Sequence, residues 1–231
     1  MSKIKVVLWD IDATLLNFEK AEKAAINSLF EEFGFGVCTE EMLQNYMKIN
    51  RRHWEALEKG TMEKPQVLVG RFQEFFGAYG LDVSQASAFN EKYQIRLGDT
   101  IVFNDNGYEL VKGLQGKVLQ CAVTNGTKKA QDRKLEKSGL IDLFDGVFIS
   151  DVIGYEKPSV EFFAPVFDFI GDVDKSEILI VGDSLTSDIR GGNNMGILTC
   201  WYNPQGKEKD RDVQVDYEIR DLSEVLAIIE G

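Results

Sequence analysis

The chain has 231 residues, 44% of them hydrophobic and 28% charged, which is enough to bury a real core in one large domain or in one domain with an insertion. Its formal net charge of -12 works against long-range attraction to nucleic acid or to an anionic membrane, so an anionic ligand has to be attracted locally. The one histidine, His53, excludes zinc sites built on two or three imidazoles, and no GxSxG accompanies it, so acid–base chemistry falls to carboxylates.

In chain order, "KVVLWDI" (5–11) is a short apolar run rich in β-branched residues, the pattern of a strand buried on both faces of a parallel sheet. From Phe18 to about Leu97 the pattern is helical. "FEKAEKAAINSLFEEFGF" places Ala21, Ala25, Leu29 and Phe33 four apart and stops at Gly34 and Gly36. "TEEMLQNYMKINRRHWEALEKG" opens on Thr39 as a cap and ends at Gly60. "PQVLVGRFQEFFGAYG" opens with Pro65 in a first turn, and "SQASAFNEKYQIRLG" is a fourth helix. After Thr100 the chain alternates. "KVLQCAVTNG", "GVFISDVIG", "SEILIVGDS" and "ILTCWYN" read as strands separated by helical segments, with "TSDIRGGNNMG" a short helix, and a last strand and helix lie in "YEIRDLSEVLAIIEG". Strands alternating with helices predict right-handed crossovers and a doubly wound parallel α/β sheet. The expected organisation is a core of residues 1–16 and 98–231 with a helical insertion over 17–97.

Ligands of such a sheet bind outside the carboxyl ends of its strands. There the sequence puts Asp10 and Asp12, Thr124-Asn125-Gly126, Glu156-Lys157-Pro158, and Gly182-Asp183-Ser184 with Asp188 five residues after Asp183. Two aspartates one residue apart at the end of an apolar run repel each other unless a cation or a proton offsets their charge. Clustered carboxylates suit a hard cation, most simply Mg²⁺, which bridges to a phosphate. One aspartate can then attack phosphorus, and the other can protonate the leaving oxygen and later deprotonate water. Thr124, neighbouring backbone amides and Lys157 would hold the phosphoryl oxygens.

"DIDATLL", "VTNG", "EKP" and "GDSLTSD" resemble, in this order, the four motifs of the haloacid dehalogenase-like (HAD) hydrolase superfamily, and the resemblance covers essentially the whole chain. It implies a Rossmann-like core with a helical cap inserted after the first strand. It also implies Asp10 as the nucleophile of an aspartyl-phosphate and Asp12 as general acid–base, with the Asp12 backbone carbonyl on Mg²⁺. Asp10 and Asp183 would be direct metal ligands and Asp188 would act mainly through water. Thr124, Asn125 and Lys157 would bind phosphate. The family often has Gly after the second aspartate; here it is Ala13, which is expected to be tolerated with a negative φ. "INRRHWEALEKG", with "GDSLTSDIRGGNNMGILTCWYNP", is similar to the pyrimidine 5′-nucleotidase branch.

That similarity implies a nucleoside 5′-monophosphate as substrate, with Asn50, Trp54 and Arg71 as candidate contacts. Each has a plainer reading as a packing or solvated residue. Asp188 also fits a helix-start acid, and Gly191-Gly192 fits close helix packing. A sugar-phosphate phosphatase or phosphomutase fits the core motifs equally well. A haloacid dehalogenase does not need Asp12 or a metal, and a phosphoaspartate receiver module orders its acids differently and lacks a helical insertion. Cys38, Cys121 and Cys200 are scattered without a CxxC, as reduced thiols of a cytosolic protein are, and no secretory leader or membrane-spanning apolar run is present. The expectation is a cytoplasmic monomer or weak homodimer acting on a small phosphorylated metabolite, with no nucleic-acid or membrane partner.

Overall fold

The computed structural model describes residues 4–209 and 212–231. They fall into two compact units: residues up to Phe18 together with those from Ile101 onward, and Glu19–Thr100. In chain order, β1 (Val6–Trp9) leads to four helices, α1 (Phe18–Glu32), α2 (Glu40–Glu58), α3 (Lys64–Ala78) and α4 (Ala86–Arg96). Then follow α5 (Gly107–Leu114), β2 (Leu119–Thr124), α6 (Lys128–Ser138), β3 (Gly146–Ile149), α7 (Ser150–Ile153) and α8 (Val160–Ile170). The chain ends with β4 (Ile178–Gly182), α9 (Arg190–Met195), β5 (Leu198–Tyr202), β6 (Tyr217–Ile219) and α10 (Val225–Glu230).

The six strands form one sheet in the order β3-β2-β1-β4-β5-β6, with every pairing parallel. Two-residue alternation divides its side chains between two cores. Val7, Trp9, Leu179 and Val181 face one cluster with Val111 and Leu114 of α5 and Val225 of α10. Val6, Leu8, Ile178 and Ile180 face the other, with Phe162, Phe163 and Val166 of α8. That is why β1 and β4 read as unbroken apolar runs. Trp9 is paired with both Ala122 and Val181, so β1, β2 and β4 end within two residues of one another. This register brings Asp10, Thr124 and Asp183 to one rim.

Two segments differ from their sequence reading. Of "GVFISDVIG", only Gly146–Ile149 is strand; Ser150–Ile153 is one helical turn ended by Gly154 at φ 87°. "TSDIRGGNNMG" opens with a wide π-type turn, Leu185–Ile189, before α9. π turns recur at functional sites, and this one carries Asp188. Gly191 and Gly192 do serve close packing: a Cβ would lie 2.8 Å from the Phe163 ring at the first and 2.6 Å from Thr199 Cγ2 at the second.

In the helical unit, the Thr39 side chain caps α2 by accepting from Met42 N, and Pro65 lies in the first turn of α3. Its interior is aromatic. Phe30, Phe72, Phe75, Phe76, Phe89, Tyr46 and Tyr93 are all fully buried, with Phe72 and Phe89 centroids 4.9 Å apart. No helix among the described residues is long and apolar enough to cross a membrane.

Candidate active site

Asp10 follows directly on β1, its backbone N–H donating to Val181 O at 2.9 Å. The chain then turns back sharply: Leu16 N donates to Ile11 O and Ala13 N to Leu16 O. The turn places Ala13 at φ 68°, in the left-handed region, contrary to the negative φ expected from the sequence. A Cβ there crowds the backbone, which is why glycine is the easier choice. The Asn104 amide steadies the turn by donating to both Ala13 O (3.1 Å) and Thr14 O (2.9 Å).

Thr14 was not singled out in the sequence, yet it joins two of the acids. Fully buried, its hydroxyl donates to Asp10 Oδ2 at 2.9 Å and accepts from Asp183 N at 3.1 Å. Its place in "DIDAT", at the turn after two aspartates, was the available signal.

Lys157 is the hub of the rim. It is 1% exposed, and Nζ donates to Asp10 Oδ1 (2.8 Å), Asp188 Oδ1 (2.6 Å) and Val123 O (2.7 Å). These are three acceptors for three donors. Burial works against its charge, but the Asp10 and Asp188 carboxylates more than offset that and hold its pKa above the ordinary lysine value. The loop carrying it is clipped by Asn125, whose Nδ2 donates to Lys157 O and whose Oδ1 accepts from Lys157 N. The Asn125 side chain thus holds the lysine loop. Thr124, 1% exposed, accepts from Gly126 N at 3.3 Å and so shapes the turn at the end of β2.

Asp188 lies against Gly182, where a Cβ would fall 2.2 Å from Asp188 Oδ2; any larger residue at 182 displaces the carboxylate. Asp188 Oδ2 accepts from Ser184 N. Burial, opposed by Lys157 and reinforced by Asp188 and Asp12, pushes the Asp10 carboxyl up to about 7. Burial, then Asp10 and Asp188, raises the Asp183 carboxyl well above its usual range.

Asp12 is approached from α6. Its Oδ2 accepts from Gln131 Nε2 at 2.7 Å and its Oδ1 from Lys134 Nζ at 2.5 Å. Neither α6 residue stood out in the sequence, because a Gln and a Lys on a highly polar helix read as a solvated face.

Asn50 and Arg71, candidate substrate contacts by sequence, lie inside the helical unit at 4% and 1% exposure. Arg71 Nη1 donates to Asn50 Oδ1 (2.7 Å) and Nη2 to Asn90 Oδ1 (3.1 Å). Asn50 Nδ2 donates to Glu22 Oε1 (2.8 Å), which also accepts from Tyr93 OH (3.1 Å). The Arg71 guanidinium lies 4.9 Å from the Phe72 ring centroid and 5.0 Å from that of Tyr93. Both side chains are engaged in an internal network with little surface to offer a ligand. Trp54 is partly exposed and is outside that network.

The rim has the donor set for a hard cation. Asp10, Asp183 and Asp188 each bring a carboxylate oxygen within 4.8 Å of the others. Three carboxyls share the one Lys157 ammonium, and burial, with this shortage of positive charge, holds Asp10 and Asp183 toward their protonated forms; a divalent ion would restore both carboxylates. Oxygen-only donors match Mg²⁺.

Comparison with known proteins shows what the chain is similar to. The crystal structure of YfnB from Bacillus subtilis bound to magnesium superposes with a TM-score of 0.92 at 34% identity, covering all of both chains. The pyrimidine 5′-nucleotidase PynA of Streptococcus pneumoniae is 33% identical over 96% of this chain and 93% of its own. The pyrimidine 5′-nucleotidase YjjG of Escherichia coli is 28% identical over 96% of each. A family model matches residues 7–202, and the chain belongs to the haloacid dehalogenase-like hydrolases.

Proposed function

We propose that the chain is a Mg²⁺-dependent phosphomonoester hydrolase acting through an aspartyl-phosphate on Asp10, with a nucleoside 5′-monophosphate, pyrimidine nucleotides first, as substrate. The observation that carries the chemistry is Asp10 pinned by Lys157 and Thr14 beside two further carboxylates, with the cluster still short of positive charge. Asp10, Asp183 and the Asp12 backbone carbonyl would hold the ion directly. Asp188 would act mainly through water, as the family resemblance implies. When bound, Mg²⁺ supplies positive charge next to the phosphoryl oxygens.

The remaining steps belong to the chain. Lys157 and Thr14 fix the Asp10 carboxylate so that an oxygen faces phosphorus. Attack forms the Asp10 O–P bond as the ester P–O bond breaks, and the departing oxygen takes a proton from Asp12. Asp12 then takes a proton from water as that water attacks phosphorus, which returns the Asp10 carboxylate and releases phosphate. Thr124 and the amides following it would receive the phosphoryl oxygens, and Lys157, whose three donors are held by Asp10, Asp188 and Val123 O, would supply positive charge beside them.

The nucleotide preference rests on similarity to PynA and YjjG and on Trp54, the sequence-predicted contact that keeps partial exposure. Turnover of a panel of phosphate esters with Mg²⁺, and again with excess EDTA, tests the reading. Nucleoside monophosphates should lead and EDTA should abolish turnover. Full activity in EDTA would point to dehalogenase-type chemistry, and a preference for sugar phosphates over every nucleotide would remove the nucleotidase assignment. Stacking on an aromatic is worth roughly 1–3 kcal/mol per base, so Trp54→Ala should raise KM for the nucleotide about 5- to 150-fold and change that for p-nitrophenyl phosphate far less.

A further inference from the structure

We infer that Gln131 and Lys134 are positioning residues that fix the direction of the Asp12 carboxyl, which gives its proton to the ester oxygen and regains one from water. The inference rests on the phosphatase reading above. The two residues are three apart on α6, hence on one face, and that face is turned inward at 1% and 2% exposure. Burying an ammonium and an amide is costly unless each gains a partner, and both are directed at the same carboxylate. Each donates to a different Asp12 oxygen, at 2.7 and 2.5 Å, which removes the freedom of the carboxylate to rotate. The Phe18 ring covers the Lys134 ammonium, its centroid 5.2 Å from Nζ.

Two further observations argue that the placement is specific and not incidental packing. Gln131 Oε1 is buried with no hydrogen-bond partner among the described residues, so the side chain is held for its N–H contact at the expense of its carbonyl. The lane it occupies is open only because residue 126 is glycine: a Cβ there would lie 2.1 Å from Gln131 Nε2 and 2.7 Å from Cγ. The glycine of "VTNG" thus serves the acid–base group as well as the turn.

The clamp leaves Asp12 usable. A carboxylate offers about four lone-pair sites, of which Gln131 and Lys134 take two. The Asp12 side chain keeps 24% exposure, so the free lone pairs have an open side. Positioning of this kind is worth much in rate, because a shift of about 1 Å in a reacting group can cost on the order of 10²-fold.

The test compares Lys134→Met and Gln131→Met with the wild-type chain in Mg²⁺ on two esters. One is a nucleoside 5′-monophosphate, whose alkoxide leaving group needs a proton. The other is p-nitrophenyl phosphate, whose phenolate leaves without one. The ratio kcat/KM covers the steps up to alcohol release and so reports the proton donation. We expect each variant to lose about tenfold or more on the nucleotide and less than about threefold on the aryl ester, with Asp12→Asn showing the same split more deeply. Equal losses on both esters, or an unchanged nucleotide rate, would overturn the inference. If Lys134→Met does not fold, as read by circular dichroism, Gln131→Met and Lys134→Gln carry the same comparison; Lys134→Gln, which keeps a donor, should recover part of the nucleotide rate. A wild-type chain that hydrolyses neither ester would remove the phosphatase reading itself, which is a different result from wild-type turnover with no split.

Discussion

Both units of the molecule bury a cation, and they do so to opposite ends. In the helical unit, Arg71 is enclosed by Asn50, Asn90 and two aromatic rings, and Asn50 links it to the one acid, Glu22. The one cation is answered by one acid through Asn50 and by two amide oxygens, with Arg71 Nε and Tyr46 OH left without a hydrogen-bond partner among the described residues. At the sheet rim, Lys157 pairs with Asp10 and Asp188, and Asp183 stands beside them, so one cation serves three acids. Buried polar residues are therefore no mark of a site by themselves. An arrangement that closes on itself holds a fold together, whereas one that remains short of charge is prepared for something it does not contain.

The largest effect that separates the two is on rate. Asp10→Asn keeps the size of the side chain and removes the nucleophile, so turnover should fall by a factor on the order of 10³ or more while the far-UV circular dichroism stays that of the wild type. Near wild-type activity, in protein shown by mass to be free of deamidation, would remove Asp10 from the chemistry.

Arg71→Met addresses the other side. It leaves Glu22 as a buried acid without its cation, a change that typically costs about 3–5 kcal/mol. Urea unfolding should show that loss equally with and without Mg²⁺. A variant as stable as the wild type but with a raised KM would make Arg71 a ligand contact after all.

The same contrast explains what was legible beforehand. The parallel sheet followed from apolar runs alternating with helices, and the rim acids followed from motif order, because side chains at strand ends are placed by the sheet itself. Residues whose role depends on what lies across from them were not legible. Thr14 is one, and Gln131 and Lys134 are others, for they look like solvent-facing positions until α6 is placed beside Asp12. Asn50 and Arg71 show the converse: named as candidate substrate contacts from their residue types, they are turned inward by their helices, which residue type alone does not reveal. The sign of φ at Ala13 was lost for a similar reason, since it is set by the hydrogen bonds that close the turn after β1 and not by the residue itself.

A smaller effect concerns pH. Burial raises the Glu22 carboxyl from 4.5 to about 7, against Arg71 and the hydrogen bonds from Tyr93 and Asn50. With the folded value above the unfolded one, the folded chain holds the extra proton between those two values. The contribution of Glu22 to stability is then fully present below about pH 4.5, is lost as pH rises, and levels off above about 7. The full span is about 3 kcal/mol at roughly 1.4 kcal/mol per unit. Urea midpoints for wild type and Glu22→Gln across that range should differ in slope, with the variant the flatter. Parallel curves would mean that Glu22 ionises in the folded chain as it does in water.

The smallest effect lies at the turn after the two aspartates. Ala13 adopts φ 68°, where an L residue is disfavoured by roughly 1–2 kcal/mol and glycine is not. Glycine also brings extra freedom to the unfolded chain, which takes back about 0.4–1 kcal/mol of any gain. Ala13→Gly should therefore stabilise the chain by at most about 1.5 kcal/mol, read as a higher urea midpoint at unchanged slope. The two Asn104 hydrogen bonds hold the carbonyls of residues 13 and 14 in either variant, so the turn itself should persist. Asn104→Ala in each background sharpens the point. If those bonds are what keep Ala13 left-handed, losing them should destabilise the alanine chain more than the glycine chain, because only alanine needs to be held there. Equal losses would mean that the turn is fixed by its own backbone bonds, Ala13 N to Leu16 O and Leu16 N to Ile11 O, and that Asn104 contributes without bearing on the strain.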